Sequence, residues 1–227
     1  MPFFPQFSNL FVPPFVPTST LLNGLSSYWN LDNDSWLDST ANGRTLTNTD
    51  GVTNGTGIIN DGAEFDGSAQ YLSRSSYPLT ENLSVSVWVK CGSQTDYTAL
   101  FNFLAPVDIG AYVNPPATNN NFGVYISGTW NNSLISINDS LWHHVVITLN
   151  AGNAGSTLKC YVDGTLVIEN GGVEPNIQTI TLAIGFNGSE YYMNGTLDEF
   201  GVWDRVLNQS EVTQLYNSGI GLSYPFS

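Results

Sequence analysis

Apolar and polar residues alternate with a period of two in several segments of the chain, and this pattern predicts β-strands. In residues 83–90 every second position is Leu or Val, which predicts a half-buried strand. Residues 141–149 are more continuously apolar, which predicts a strand nearer the centre of a sheet. Cys91 and Cys160 continue the apolar positions of their strands. We therefore predict two buried free thiols, with a disulfide as the alternative.

Two strand pairs are predicted around Asp-Gly dipeptides, which favour the tight turns that join neighbouring strands. Residues 159–168 read as a hairpin with a type I′ turn at Asp163-Gly164. Residues 62–72 read as two further strands around Asp66-Gly67. By contrast, residues 93–121 are weakly patterned and are predicted to be mostly loops.

The segment 194–219 predicts a closing strand followed by one short helix. The Asn194-Gly195 dipeptide predicts a turn that opens the strand. Asn208 is a favourable N-cap, and Glu211 stands three residues later in the capping-box arrangement. Gly219 is predicted to end the helix in the left-handed conformation. One capped helix in an otherwise strand-rich chain indicates a β-sandwich.

The chain of 227 residues divides into an N-terminal arm, residues 1–23, and one large β domain, residues 24–227. The arm interleaves Pro with five Phe and carries almost no charge, which predicts an extended, polyproline-like segment rather than a helix or a central strand. Its aromatic side chains predict an anchor to a protein partner or a homo-oligomer interface, with packing on its own domain or a disordered tail as alternatives. These side chains are Phe3, Phe4, Phe7, Phe11 and Phe15.

The charge of the chain excludes some classes of partner. Five basic residues stand against nineteen acidic ones, giving a net charge of −14. Nucleic acid is an improbable ligand for such a chain, because phosphate binding needs a field of Lys and Arg. The same balance disfavours anionic membrane surfaces, and no apolar run is long enough to span a bilayer. Cation binding stays open, as does a role of the acidity in colloidal stability alone.

Seven motifs follow one another along the chain. They are Tyr28-Trp29-Asn30, Asp38 to Gly43, Gly62 to Gly67, Leu83 to Lys90, Trp142 to Val145, Tyr161 to Gly164, and Gly195 to Phe200 continuing through Leu215-Tyr216. In this order they resemble the laminin-G-like jelly-roll family within the concanavalin A-like lectin/glucanase fold. The resemblance extends over residues 26–219 and leaves the arm outside. The resemblance implies an all-β, two-sheet antiparallel jelly-roll sandwich with one short C-terminal helix, preceded by the extended arm. It also implies binding, of glycans or proteins, as the usual activity.

The resemblance further suggests a structural calcium site. In the family the segment that matches residues 38–43 often supplies calcium ligands, here Asp38 and Asn42, and an acidic residue of the closing strand, here Asp198, is the distant ligand. Carboxylate, hydroxyl and carbonyl oxygens are ligands that suit calcium. The alternative is that Asp38 caps its own turn and that Asp198 bonds neighbouring backbone amides.

Catalysis is not expected from the acidic residues. Asp198 and Glu199 are adjacent on a strand, so alternation predicts that they point to opposite faces and cannot act as an acid–base pair. Glu64 and Asp66 approximate the paired acids of related glycoside hydrolases, but Ala69 stands where a third acid would be wanted. We therefore predict a protein that is not an enzyme.

A glycan-binding surface is predicted near Trp130, with Tyr125, Tyr112 and Asn131 as further contacts. Lectin sites place an aromatic ring against a sugar and surround it with amides and carboxylates. Tyr97, Tyr112, Tyr125, Trp130, Tyr191 and Tyr192 all lie in or beside segments rich in Asn and Gly. The alternative is that these aromatic side chains only close the open ends of the sandwich.

Two functions follow from these observations. The first is a non-enzymatic structural or adhesive protein of a virion, such as a phage capsid decoration or tail fibre, with a lectin-like sandwich at the virion surface anchored by the arm. The second is a carbohydrate-binding module of an extracellular or bacterial cell-surface protein that contacts cell-surface glycans; a glycoside hydrolase is the less favoured variant.

Overall fold

The described residues form a sandwich of two antiparallel β-sheets with one short helix near the C terminus. The structure is a computed structural model and describes residues 19–94, 97–114, 121–151, 155–172 and 179–226. The all-β, two-sheet architecture predicted from the sequence is confirmed. The five Phe of the predicted arm lie outside the described residues. In the part of the chain that the structure describes, no helix is long and apolar enough to cross a membrane.

The strands are numbered in chain order. They are β1 (Leu25–Trp29), β2 (Thr47–Thr49), β3 (Thr53–Thr56), β4 (Asp61–Asp66), β5 (Tyr71–Pro78), β6 (Asn82–Lys90), β7 (Thr98–Phe103), β8 (Ile109–Val113), β9 (Asn121–Ile126), β10 (Thr129–Ser136), β11 (Trp142–Asn150), β12 (Thr157–Val162), β13 (Thr165–Gly171), β14 (Thr179–Ile184) and β15 (Asn194–Trp203). The helix α1 spans Gln209–Tyr216.

One sheet has the strand order β13-β12-β11-β6-β15-β4-β3, with β1 also paired to β15. The other has the order β10-β9-β8-β7-β14-β5-β2. The inner faces pack together into one apolar core. Its largest fully buried side chains include Trp29, Phe65, Phe101, Phe103 and Phe122.

The strand predicted as half-buried, β6, is buried along both faces. A second apolar cluster, which includes Trp203, Val212 and Leu215, covers the outer face of this sheet beneath α1. Polar side chains of that face form hydrogen bonds beneath the second cluster; for example, Ser84 Oγ donates to the carbonyl of Arg205 at 2.7 Å. The alternation of apolar and polar residues thus predicts strand β6, but it does not predict that α1 covers the outer face of the sheet.

Two local predictions of turn and helix chemistry are confirmed. Asp163 and Gly164 both have positive φ, 51° and 75°, as a type I′ turn between β12 and β13 requires. Asn208 and Glu211 form the complete capping box of α1. The helix ends earlier than predicted, however, because Asn217, with φ 46°, takes the left-handed position assigned to Gly219.

The two strands predicted around Asp66-Gly67 are present as β4 and β5, which lie in different sheets. Two other predictions are wrong. The segment 98–113 was predicted as loop but contains β7 and β8. Asn194-Gly195 lies within β15, paired to β4, and is not a turn. Cys91 and Cys160 are buried free thiols, as predicted.

Candidate functional site

A row of residues crosses the outer face of the seven-stranded sheet. The pairing register aligns Asn102 of β7 with Gly110 of β8, Gly110 with Tyr125 of β9, and Tyr125 with Trp130 of β10. Their strand neighbours Phe101, Ala111 and Val124 point into the core. Alternation therefore directs Asn102, Tyr125 and Trp130 away from it.

Gly110 leaves space in this row for the side chain of the neighbouring Tyr112. A Cβ atom at position 110 would lie 2.6 Å from the Tyr112 ring and 2.9 Å from its hydroxyl. The ring of Tyr112 can therefore lie over the glycine, and its hydroxyl reaches Asn102, whose Nδ2 lies 3.0 Å away. A side chain at position 110 would displace this contact.

Four aromatic rings, Tyr97, Tyr112, Tyr125 and Trp130, form an aromatic cluster over the row. The centroid of the Trp130 ring lies 5.8 Å from that of Tyr97, 5.0 Å from that of Tyr112 and 5.0 Å from that of Tyr125. The rings are tilted or edge-on to one another, which is the favoured geometry of aromatic pairs. Three of these residues lie on strands rather than in end loops, so they line the face of the sheet.

The aromatic cluster forms one side of a pocket of about 500 Å³, which we call the aromatic pocket. This volume lies in the range typical of small-molecule sites, roughly 300–1,000 Å³. Other parts of its wall come from Leu104 to Asp108, between β7 and β8, and from the loop at 187–189. The Asn187 carboxamide oxygen accepts the backbone N–H groups of Ser189, Glu190 and Tyr191, at 3.0, 3.1 and 3.1 Å, and so holds this loop in one conformation.

Asn102 belongs to the wall of this pocket. The residue is 1% exposed, and its Nδ2 lies 3.1 Å from the Asp108 carboxylate and 3.3 Å from the Asn187 carbonyl. Both partners only accept hydrogen bonds, which fixes Nδ2 on their side. Asn102 Oδ1 is left buried without a hydrogen-bond partner. The Nδ2 contacts with Asp108, Asn187 and Tyr112 fix the carboxamide, so Asn102 organises the polar wall of the pocket.

The Tyr112 hydroxyl is a second polar group of the pocket. Burial raises the pKa of Tyr112 well above its ordinary value, and the negative charge of Asp108 raises it further. The group therefore stays protonated at neutral pH. Because its oxygen accepts from Asn102 Nδ2, its own hydrogen can be donated to a ligand.

The structure brings together three of the four predicted glycan contacts and separates the fourth. Trp130, Tyr125 and Tyr112 all line the aromatic pocket. Asn131 follows Trp130 on β10, so its side chain leaves the opposite face of the strand. It is 6% exposed and bonds the carbonyls of Val124 and Thr129 instead.

The sequence prediction missed Asn102, Asp108 and Asn187. Asn102 carried a signal, since it is the one polar residue in the apolar run from Ala99 to Phe103. A polar residue within a buried strand needs a partner or a function. Asp108 and Asn187 carried no comparable signal in their local sequence.

The three predicted calcium ligands do not form a shared site in the described residues. Asp38 accepts the backbone N–H groups of Tyr28, Thr40 and Arg44, at 3.1, 2.9 and 3.1 Å. Asn42 donates to the carbonyl of Ser26, which also accepts the guanidinium of Arg44.

Asp198, the third predicted ligand, binds a different loop and accepts the N–H groups of Ile58 and Ile59, at 2.9 and 3.1 Å. The contacts are those of the capping alternative, and no group of three or more His, Cys, Asp or Glu fit to hold a metal occurs within the described ranges. Calcium binding stays a prediction: EDTA should lower the unfolding temperature if it is correct, and no change would contradict it.

Asp198 and Glu199 are both buried, contrary to the predicted alternation. Between Asp198 and Gly201 the register of β15 against β6 shifts by one residue, and Glu199 has φ 50°. This β-bulge directs Glu199 to the outer face of the sheet, under the second apolar cluster, where one carboxylate oxygen accepts the Tyr28 hydroxyl and the other has no partner. Burial raises the pKa of Glu199 to about 8, and the negative charges of Asp198 and Asp32 add to this effect.

We expect the free energy of unfolding to fall as the pH rises from about 6.5 to 8. Folded Glu199 keeps its proton to about pH 8, whereas the unfolded chain has lost it well below pH 6.5, so the folded state binds more protons in this window. His143 acts in the same direction, because its hydrogen bond to Asp163 raises its pKa. Thermal unfolding of wild type and Glu199→Gln across this range measures the effect. The variant should show the smaller slope, and equal slopes would contradict the assignment to Glu199.

Similar solved structures share this fold at low sequence identity. Domain 4 of AbnA, a GH43 extracellular arabinanase from Geobacillus stearothermophilus solved with arabinotriose, is 21% identical with a TM-score of 0.70; the match covers 83% of this chain and 96% of that one. The botulinum neurotoxin serotype D ligand binding domain, solved with N-acetylneuraminic acid, is 14% identical with a TM-score of 0.68. The binding domain of Paraclostridial Mosquitocidal Protein 1 is 16% identical with a TM-score of 0.69. These two matches cover 86% of this chain but only 51% and 52% of the toxin chains.

Comparison with curated protein sequences returns no match. A family model, in contrast, matches residues 65–213, which is well over half of the chain and spans the strands from the end of β4 to α1. Its description agrees with the two-sheet sandwich and with the resemblance in the seven sequence motifs. The chain belongs to the concanavalin A-like lectin/glucanases superfamily.

Proposed function

We propose that the domain binds carbohydrate in the aromatic pocket. The observation that carries the proposal is the aromatic cluster in the wall of a pocket of about 500 Å³ that also contains the Asp108 carboxylate and the Tyr112 hydroxyl. A sugar ring can pack on the aromatic surface while its hydroxyl groups form hydrogen bonds with these polar groups.

The other walls of the pocket suit the same ligand. A sugar ring has apolar C–H faces and polar hydroxyl edges, and it therefore needs aromatic surface beside hydrogen-bonding groups. The aromatic cluster supplies the first, and Asn102, Asp108 and the Tyr112 hydroxyl supply the second. The rings also hold one another in place, so little conformational entropy is lost when a ligand binds.

The similar structures support binding rather than catalysis. Two of them were solved with a sugar, arabinotriose in the arabinanase domain and N-acetylneuraminic acid in the neurotoxin domain. At 21% and 14% identity they share only the fold with this chain, so they support a class of ligand and no particular sugar. We infer a binding protein that is not an enzyme.

Calorimetric titration of the full chain with neutral mono- and oligosaccharides of glucose, galactose, N-acetylglucosamine and arabinose tests the proposal. We expect saturable binding of at least one of them, and Asn102→Ala should lower its affinity about tenfold, since the variant removes the carboxamide that positions the Asp108 carboxylate and the Tyr112 hydroxyl. The unfolding temperature of the variant controls for loss of structure. If neither these neutral carbohydrates nor acidic oligosaccharides bind the wild-type chain, the proposal is wrong.

We also propose that the arm, residues 1–23, attaches this binding domain to a larger assembly, with a virion surface as the expected location. The support is the composition of the arm, five Phe among Pro with almost no charge. These Phe lie outside the described residues, whereas residues 19–23 pack on the β domain through the buried Leu21. A chain without residues 1–18, which retains the buried Leu21 and its contact with Trp203, should keep the unfolding temperature of its β domain but fail to incorporate into the assembly. Normal incorporation would contradict this proposal.

A further inference from the structure

A second pocket of about 360 Å³ adjoins the aromatic pocket, and Tyr97 lines both. We call it the acidic pocket, because its wall includes Asp66 and Glu190. The ring of Tyr191 lies against that of Tyr97, with centroids 3.6 Å apart, so this aromatic pair stands between the two pockets. Gln94 and Asn194 add carboxamide groups to the wall of the acidic pocket.

The acidic pocket is fixed by local contacts before any ligand binds. Asp66 Oδ1 accepts the backbone N–H and the hydroxyl of Ser68, at 2.9 and 2.8 Å. These hydrogen bonds lower the pKa of Asp66, so that it is ionised at neutral pH. Glu190 and Tyr191 are held by the Asn187 carboxamide, which also organises the wall of the aromatic pocket. Both pockets are thus built on the same loop.

No basic side chain lines either pocket. All five Lys and Arg of the chain are in the described residues, and none of them lines the two pockets. Arg205 pairs with Glu211 at 2.8 Å, and Lys159 pairs with Glu169 at 3.0 Å. Arg44 contacts Ser26 and Arg74 points to the carbonyl of Thr45, while Lys90 ends β6.

We propose that the ligand is an uncharged oligosaccharide of at least two sugar units that occupies both pockets and crosses the Tyr97–Tyr191 pair. This inference rests on the proposed function and specifies its ligand class. A carboxylate or sulfate group on the ligand would lie near Asp108 in one pocket or near Asp66 and Glu190 in the other, without a cation to offset the repulsion. Sugar hydroxyls, in contrast, donate to these carboxylates.

The size of the two pockets favours more than one sugar unit. Each has the volume of a small-molecule site on its own, and they share a wall rather than lying on separate faces. A chain of sugars gains contacts with Tyr191 and Glu190 that a single sugar in the aromatic pocket does not make. Affinity should therefore rise with chain length until both pockets are filled.

Two matched series of probes test the proposal by calorimetric titration of the full chain. The first series is the mono-, di- and trisaccharides of the neutral sugar set used above. The second pairs neutral and acidic sugars of equal length, oligosaccharides of galactose with oligosaccharides of galacturonic acid, and galactosyllactose with 3′-sialyllactose. We expect the best neutral trisaccharide to bind at least about tenfold tighter than its monosaccharide and than any acidic probe.

Variants test which residues cause the dependence of affinity on chain length and the preference for neutral over acidic sugars. Tyr191→Ala should reduce the ratio of trisaccharide to monosaccharide affinity, because it removes the ring between the pockets. The double variant Asp66→Asn, Glu190→Gln should narrow the difference between neutral and acidic probes, and more so at low salt. Glu81→Gln, an exposed residue that lines neither pocket, is the matched charge control and should leave both ratios unchanged.

The outcomes separate this inference from the proposed function. Equal affinity for monosaccharide and trisaccharide, or tighter binding of an acidic probe, would overturn the inference and leave carbohydrate binding intact. Absence of binding by every neutral and acidic probe would overturn both. Binding of neutral oligosaccharides with an unchanged length ratio in Tyr191→Ala would overturn the placement across the Tyr97–Tyr191 pair.

Discussion

Replacing Asp198 with alanine is expected to lower the free energy of unfolding by about 3–5 kcal/mol. The side chain is fully buried and accepts three backbone N–H groups, those of Ile58, Ile59 and Glu199, at 2.9, 3.1 and 2.8 Å. Alanine leaves these donors without an acceptor in a region that water does not reach, and each unpaired donor costs about 1–3 kcal/mol. In a chain of this length the loss corresponds to a fall of about 10 °C in unfolding temperature.

The matched control is Asp204→Ala, which removes an exposed carboxylate one residue after the end of the same strand. Its effect should stay within about 0.5 kcal/mol. If Asp198→Ala does not fold, Asp198→Asn keeps one acceptor oxygen and should show an intermediate loss. A loss below about 1 kcal/mol for Asp198→Ala would contradict the structural role of the carboxylate. EDTA distinguishes the calcium hypothesis, which predicts a chelator effect on wild type that the Asp198 variant lacks.

The sequence correctly predicted the elements that depend on residues close together in the chain. The capping box at Asn208 and Glu211 and the turn at Asp163-Gly164 depend on residues within a few positions of each other. These elements were predicted from the sequence and are present in the structure. The helix α1 ends at an earlier residue than predicted, because Asn, like Gly, adopts the left-handed conformation at low cost in free energy.

The bulge at Glu199 shows where alternation fails as a guide. A strand with one extra residue changes the face of every later side chain, and nothing in the sequence of β15 marks the insertion. The prediction that Asp198 and Glu199 point to opposite faces of the sheet therefore assigned Glu199 to the wrong face. Its burial depends on Tyr28, a residue 171 positions away in the chain.

The sequence predicted only part of the aromatic pocket, because the register of strand pairing cannot be read from local sequence. Trp130, Tyr125 and Tyr112 were identified by their residue type, but the residues that complete the pocket come together only through strand pairing. Asn102 meets Tyr125 through the intervening Gly110, and this register is set by contacts along three whole strands. Because residues 93–121 were predicted as loops, no register could be assigned to Asn102.

The second large effect is expected for Trp130→Ala, which should weaken binding of the best neutral trisaccharide by about 2–3 kcal/mol, or roughly 30- to 150-fold. Trp130 contacts the other three rings of the aromatic cluster, so its removal takes away apolar surface and also loosens Tyr97, Tyr112 and Tyr125. Calorimetric titration measures the affinity, and Trp130→Phe should retain part of it.

Leu134→Ala is the control for Trp130→Ala, because Leu134 lies on the same strand, is 92% exposed and does not line the pocket. It should bind the trisaccharide like wild type. The Trp130 side chain is only partly buried and points away from the core. Trp130→Ala should therefore cause a large loss of affinity for the trisaccharide and only a small fall in unfolding temperature. If the variant lost stability but bound the trisaccharide like wild type, the aromatic cluster would serve only to cover the sheet. A selective loss of binding would instead make Trp130 the main apolar contact with the sugar.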